Sequence, residues 1–189
     1  MTRNRLCTGL CTGIGDLEPS VASAFCAAAG QTLCCRRMFR IVPAEFGDSR
    51  VVDLLTTHMT RARAETARGS AHALDLAGLQ VPAIRVWTIW REETLYGGGA
   101  LKRLSAEHGE VKSMHTLEAL RGRGAGSAML LHLIERARTS GMRHLSLETG
   151  SWDYFLAARA LYHRHGFVEC APFADYVPDP NSVFLSLAL

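Results

Sequence analysis

At 189 residues and a formal net charge of +3, the chain is the size of one domain with room for an added segment. Hydrophobic residues at 48% and charged residues at 21% suit a globular protein, and no apolar run nears the ~20 residues that cross a bilayer, so no membrane partner is expected. Of 21 basic residues only Lys102 and Lys112 are lysine, and the scattered arginines form no stripe for a nucleic acid.

The cysteines divide the chain. Cys7, Cys11, Cys26, Cys34 and Cys35 lie in the first 37 residues, and only Cys170 lies beyond. A disulfide framework would instead staple the folded domain. Zinc would need paired ligands, yet no histidine precedes His58 and no C-x-x-C occurs, so no metal is expected. Asp16, Glu18 and Pro19 break the apolar run that a secretory signal requires. Residues 1–37 read as a poorly ordered or non-native extension, Met38 as the natural start, and 38–189 as a single domain expected in the cytoplasm.

From Phe39 the pattern becomes regular. Phe39 to Val42 predicts a strand stopped by Pro43, and Ser49 to Met59 a helix capped by Asp48 or Ser49. Arg61 to Leu79 is mixed and holds His72 and Asp75. Ile84 to Trp90 and Thr94 to Leu101 predict strands joined by a turn at Arg91-Glu92-Glu93. Gly97-Gly98-Gly99 lies inside the second, which suggests a bulge or a close backbone approach. Residues 110–116 make a central strand, Gly124 to Ser140 a helix ended by Gly141, and His144 to Glu148 a strand. A helix over Tyr154 to His165, a short strand at Phe167 to Cys170, a proline-rich loop at 172–180 and a last strand at Val183 to Leu189 complete the chain. The order predicts a mixed α/β fold.

The chain is organised around Arg121-Gly122-Arg123-Gly124-Ala125-Gly126, between the central strand and its helix. Glycines let the backbone approach a ligand closely, and the free N–H groups of a first helical turn carry about half a positive charge. Such a turn suits a pyrophosphate. A second cluster, Leu161-Tyr162-His163-Arg164-His165-Gly166-Phe167, follows one strand and one helix later.

Together these motifs resemble those of the GNAT acetyltransferase family, whose signature is Gln/Arg-x-x-Gly-x-Gly/Ala after a strand, followed by a helix tyrosine and then Gly-Phe. Ser146 to Ser151, Pro172 to Tyr176 and Asp179 to Phe184 look like a bacterial branch of small-molecule acetyltransferases. The resemblance covers about residues 39–189. It implies a mostly antiparallel mixed sheet of six to seven strands with flanking helices and a splayed central strand pair. It implies an N-acetyltransferase moving acetyl from acetyl-CoA to a primary amine of a small molecule, by direct attack in a ternary complex. A homodimer stays open. By the same resemblance the loop from Arg121 through Gly122, Arg123, Gly124, Ala125 and Gly126 to Ser127 would hold the CoA pyrophosphate through backbone N–H groups. Met114, His115 and Thr116 on the central strand would meet the pantetheine arm. Tyr162 would be the general acid for the departing thiolate. Phe155 stands where many members carry Asn, so no cofactor contact is carried over there.

An alkylamine is protonated at neutral pH, so the reaction calls for a base. Glu110 opens the central strand, with Lys112 and Met114 expected on its face by the two-residue period. Glu148, His115 and water are alternatives, and His72 and Asp75 could line an acceptor pocket. Trp87, Trp90, Tyr96, Trp152 and Phe155 would suit an apolar small-ligand pocket or, equally, the core. Two other readings remain at this level: a protein lysine or N-terminus as acceptor, and a CoA-binding module without catalysis. A dinucleotide site at Gly122-x-Gly124-x-x-Ser127 with Glu148 fits worse, because Leu117 to Arg121 separate the motif from its strand.

Overall fold

The computed structural model describes residues 39–65 and 74–189, so the expectations for residues 1–37 and for His72 lie outside the described residues. Residues Phe39–Leu189 make one compact unit. Strand β1 (Arg40–Pro43) is followed by helix α1 (Ser49–Ala64), whose N-cap is Asp48, accepting from the Arg50 N–H. The helix runs past Met59 to Ala64, and its apolar residues Val51, Leu54 and Leu55 are buried on the sheet, the packing from which most helical stability comes. A short helix α2 (Leu76–Leu79) precedes strands β2 (Ile84–Arg91), β3 (Thr94–Arg103) and β4 (His108–Thr116). Then come helix α3 (Ala125–Thr139), strand β5 (His144–Gly150), helix α4 (Leu156–Arg164) and strands β6 (Val168–Glu169) and β7 (Ser182–Ala188). One 3-10 turn, Glu118–Leu120, precedes the glycine loop, and a second, Asp153–Phe155, replaces the expected first turn of α4.

The seven strands form one sheet in the order β1-β2-β3-β4-β5-β7-β6. Every pairing is antiparallel except β4 with β5. Helices α3 and α4 cover one face, where Met129, Leu130 and Leu133 meet Leu101, Val111, Leu145, Leu147 and Leu185. Leu130, Leu133, Leu145 and Leu185 are fully buried, and each such side chain contributes roughly 1.5–3 kcal/mol by leaving water. Helix α1 covers the other face over β2 and β3, packing on Val86 and Ala100. Trp87, Trp90 and Tyr96 are buried core residues, which settles the open choice for them. Trp152 is half exposed, and of the five aromatics only Phe155 lines the cleft described below.

Candidate active site

The sheet opens where two strands stop pairing. Strands β4 and β5 are matched at His108↔His144, Gly109↔Leu145 and Glu110↔Ser146, and there the ladder ends although both continue. Strand β4 also carries a bulge. Its register with β3 passes from Ala100↔Lys112 to Gly98↔His115, so Gly99 faces both Ser113 and Met114. Ser113 takes a φ of 51°, uncommon for a residue with a side chain. The extra residue frees main-chain groups from the ladder and turns every later side chain to the opposite face. Lys112 therefore shares the face of Glu110 as expected. Met114 does not: it turns toward α3, where a Cβ on Gly99 would come within 2.8 Å of its sulfur. The glycine run accommodates this geometry, since a Cβ on Gly97 would collide with the His115 carbonyl.

Beyond β4, Gly122 and Gly124 adopt φ values of 74° and 89°, the left-handed region that favours glycine. Gly124 is the N-cap of α3 and offers no side chain to it. The first bond of the helix runs from the Ala128 N–H to the Gly124 carbonyl, so the N–H groups of Ala125, Gly126 and Ser127 have no partner within the helix. They face a cleft of about 450 Å³. Its walls come from the end of β4 (Met114, His115, Thr116), from Arg121, Gly122 and Gly124 to Ser127, and from Phe155, Leu161 and Tyr162 across the gap. Arg123, alone of the expected loop residues, is not part of the wall. Arg121 Nε donates to the Thr116 carbonyl at 3.3 Å and ties the loop back to its strand. A polyanion fits this cradle of glycines, unbonded N–H groups and one arginine.

Tyr162 reaches the cleft from α4, only 6% exposed. Burial, and after it the Glu148 carboxylate, holds its hydroxyl well above the usual phenol range, so it enters any reaction as a neutral donor. The pattern did not reveal His58 of α1, which also lines the cleft and stacks on His115 with ring centroids 5.0 Å apart. Burial lowers both imidazoles to about 4, aided at His115 by His58 and two arginines. Both are neutral at pH 7.

Glu110 lies elsewhere. It is 1% exposed and does not line the cleft. Its Oε1 accepts from the Tyr176 hydroxyl at 2.6 Å and lies 3.2 Å from Lys112 Nζ. Lys112 also donates to the Tyr176 oxygen at 2.7 Å. Among the described residues Oε2 has no hydrogen-bond partner, and Lys102 Nζ is 3.9 Å away. Tyr176 comes from the proline-rich connection between β6 and β7, which packs Phe173 and Tyr176 on Phe184. Periodicity could not single it out, because a loop has none. Glu148 accepts from Ser182 at 2.7 Å, and Asp75 caps α2 by accepting from the Gly78 N–H.

Comparison with known proteins agrees with this geometry. The family model described as the GNAT acetyltransferase family matches residues 51–167. The uncharacterized N-acetyltransferase YedL of Escherichia coli is 41% identical over 152 residues, which is 80% of this chain and 96% of that protein. A protein of Azospirillum brasilense described as an IAA acetyltransferase is 38% identical over 64% of this chain and 78% of its own length. The structure of a Bacillus subtilis acetyltransferase in complex with CoA superposes with a TM-score of 0.61 at 21% identity, covering 80% of this chain and 99% of that one. With a family model spanning most of the described fold and a relative matched along nearly all its length, this chain belongs to the GNAT family of acetyltransferases.

Proposed function

We propose that this acetyltransferase moves acetyl from acetyl-CoA to a primary amine of a small molecule, by direct attack within a ternary complex in the cytoplasm. One observation carries the reading: the helix end with its unbonded N–H groups and the end of β4, past its last match with β5, line a single cleft. The N–H groups of Ala125, Gly126 and Ser127, with Arg121, would hold the pyrophosphate. The bulged segment at Met114 and Thr116 would meet the pantetheine arm through its main chain. The donor supplies an activated thioester. Tyr162 then gives the proton from its hydroxyl to the departing sulfur, a role that its neutral, buried state suits. Glu110 is the base. A small-molecule acceptor is supported by the Azospirillum relative, described as an acetyltransferase of IAA.

The test is calorimetric titration of the protein with acetyl-CoA beside NAD, followed by thiol release with an amine panel. Micromolar binding of acetyl-CoA alone is expected. In Tyr162→Phe that affinity persists while kcat falls by roughly 10²-fold, the usual scale of a lost proton donor. Full turnover in this variant at every pH would remove Tyr162 from the chemistry, and binding of NAD alone would overturn the whole reading.

A further inference from the structure

The base assigned above is sealed. Glu110 lies in the sheet at 1% exposure, and among the described residues its hydrogen-bond donors, Tyr176 and Lys112, stand over Oε1. These two also bind each other, so the three polar groups close a ring of contacts of 2.6, 2.7 and 3.2 Å. The ring sits at a particular place. Glu110 and Ser146 are the last matched residues of β4 and β5, so Lys112 and Glu148, two positions further along each strand, flank the start of the gap. At that end of the gap the Lys112–Tyr176 pair occupies Oε1 of Glu110, so a proton bound for that oxygen comes by way of one of the two.

We propose that Tyr176 is the proton relay of the transfer: the acceptor's N–H proton passes to Tyr176 Oη as the phenol's own proton passes to Glu110 Oε1. The inference rests on the transferase reading and on Glu110 as base. An ammonium acceptor becoming an amide gives up two protons. One leaves the nitrogen as the C–S bond breaks and replaces on Tyr162 the proton that Tyr162 gives to the CoA sulfur. The other crosses Tyr176 to Glu110, which returns it to solvent after product leaves. Tyr176 never holds a net charge if its two transfers are concerted, and its surroundings favour that course. Burial, and then the adjacent Glu110 carboxylate, keep its hydroxyl far above the usual phenol range. Lys112 donates to the same oxygen, which leaves the hydroxyl hydrogen directed at Glu110. Phe173 and Phe184 hold the ring from the other side, with centroids 5.0 and 5.4 Å from it. The loop thus supplies the hydroxyl of the proton path.

The decisive experiment is a double-mutant cycle with Tyr176→Phe and Glu110→Gln in the full chain. The readout is thiol release from acetyl-CoA above the enzyme-free rate, with an alkylamine from the amine panel as acceptor, and acetyl-CoA affinity measured alongside. Tyr176→Phe keeps the ring and its packing. It is expected to lower kcat by roughly 10²-fold while leaving the acetyl-CoA Kd within about twofold. Because the two residues act in series, the double variant should be no slower than Glu110→Gln alone. Lys112→Met should share the loss, and Lys112→Arg should recover most of it, since either cation can orient the phenol. Multiplied losses in the double variant, an intact kcat in Tyr176→Phe, or loss of acetyl-CoA binding in that variant would each overturn the relay. If Glu110→Gln is as fast as the wild type, the base assignment has failed and the relay with it. If the wild type binds no acetyl-CoA, it is the transferase reading that has failed.

Discussion

The two faces of the sheet along β4 and β5 are built from the same strands, one residue out of phase, and they differ in almost every chemical respect. Under α3 and α4 lie Val111, Leu145 and Leu147, no more than 3% exposed and surrounded by other hydrocarbon. On the opposite face lie Glu110, Lys112, Ser146 and Glu148, with His108 donating to or accepting from Ser146 at 2.8 Å and Ser146 bonded to Ser186. The first face is covered by helices whose apolar stripes are continuous. The second is covered at this end by a loop whose aromatics bring one hydroxyl to a buried carboxylate. Burial alone therefore does not distinguish scaffold from site: Leu145 and Glu110 are equally hidden. The difference lies in what remains to be satisfied, since hydrocarbon needs only contact whereas a buried carboxylate needs partners.

The sharpest way to break the comparison is to put the chemistry of one face on the other. Leu145→Asp places an unpaired charge among Leu130, Leu133 and Leu185, and should cost more than about 4 kcal/mol, enough to leave the chain unfolded. A cooperative urea transition like that of the wild type would show that this face tolerates polarity. A smaller effect tests the cradle. Gly124→Val needs a β-branched residue at φ 89°, although a Cβ there would approach only Phe39 at 3.9 Å, so backbone strain and not crowding is at issue. The acetyl-CoA Kd should rise roughly 5- to 30-fold, on the scale of roughly 1–2 kcal/mol for a left-handed residue, in calorimetric titration.

The histidine pair gives a pH signature of intermediate size. His58 and His115 have folded values lowered from 6.5 to about 4, so the unfolded chain binds more protons between those limits. Stability is then fully present above pH 6.5 and is lost as pH falls toward 4. Melting curves at pH 7, 5.5 and 4 should show Tm dropping across that window, and His58→Phe should flatten the drop. An identical slope in wild type and variant would remove the pair as its source. Least affected should be Arg123→Ala, whose side chain is exposed and outside the cleft wall. Its acetyl-CoA Kd should change by less than about threefold, because a screened surface charge contributes little. A larger loss would mean that side chains, not backbone N–H groups, hold the phosphates.

Much of the fold was legible because its strands and helices keep strict periods. Residues 84–90, 94–101 and 124–140 predicted their elements closely, and Asp48 and Gly141 marked a start and an end that the structure keeps. The glycine run inside β3 pointed to a bulge or a close backbone approach: the bulge lies opposite it, in β4, and the close approach is that of Gly97 to the His115 carbonyl. The two-residue period failed at Met114 for that very reason: one inserted residue at Ser113 reverses the faces, and alternation counted along β4 alone cannot register it. The cleft's near side was legible too, since Arg121 to Ser127 are consecutive and Tyr162 follows at a recognisable spacing.

What the sequence determined by itself is the local chemistry: a glycine loop opening a helix, a tyrosine on the next helix, and the order of strands around them. These depend on residues a few positions apart, whose geometry the backbone dictates. Only the tertiary structure decided which distant groups meet. His58 and His115 stack across 57 positions, and Tyr176 closes on Glu110 across 66. Nothing local encodes either contact, because each arises where two separately formed elements are pressed together by the burial of other residues.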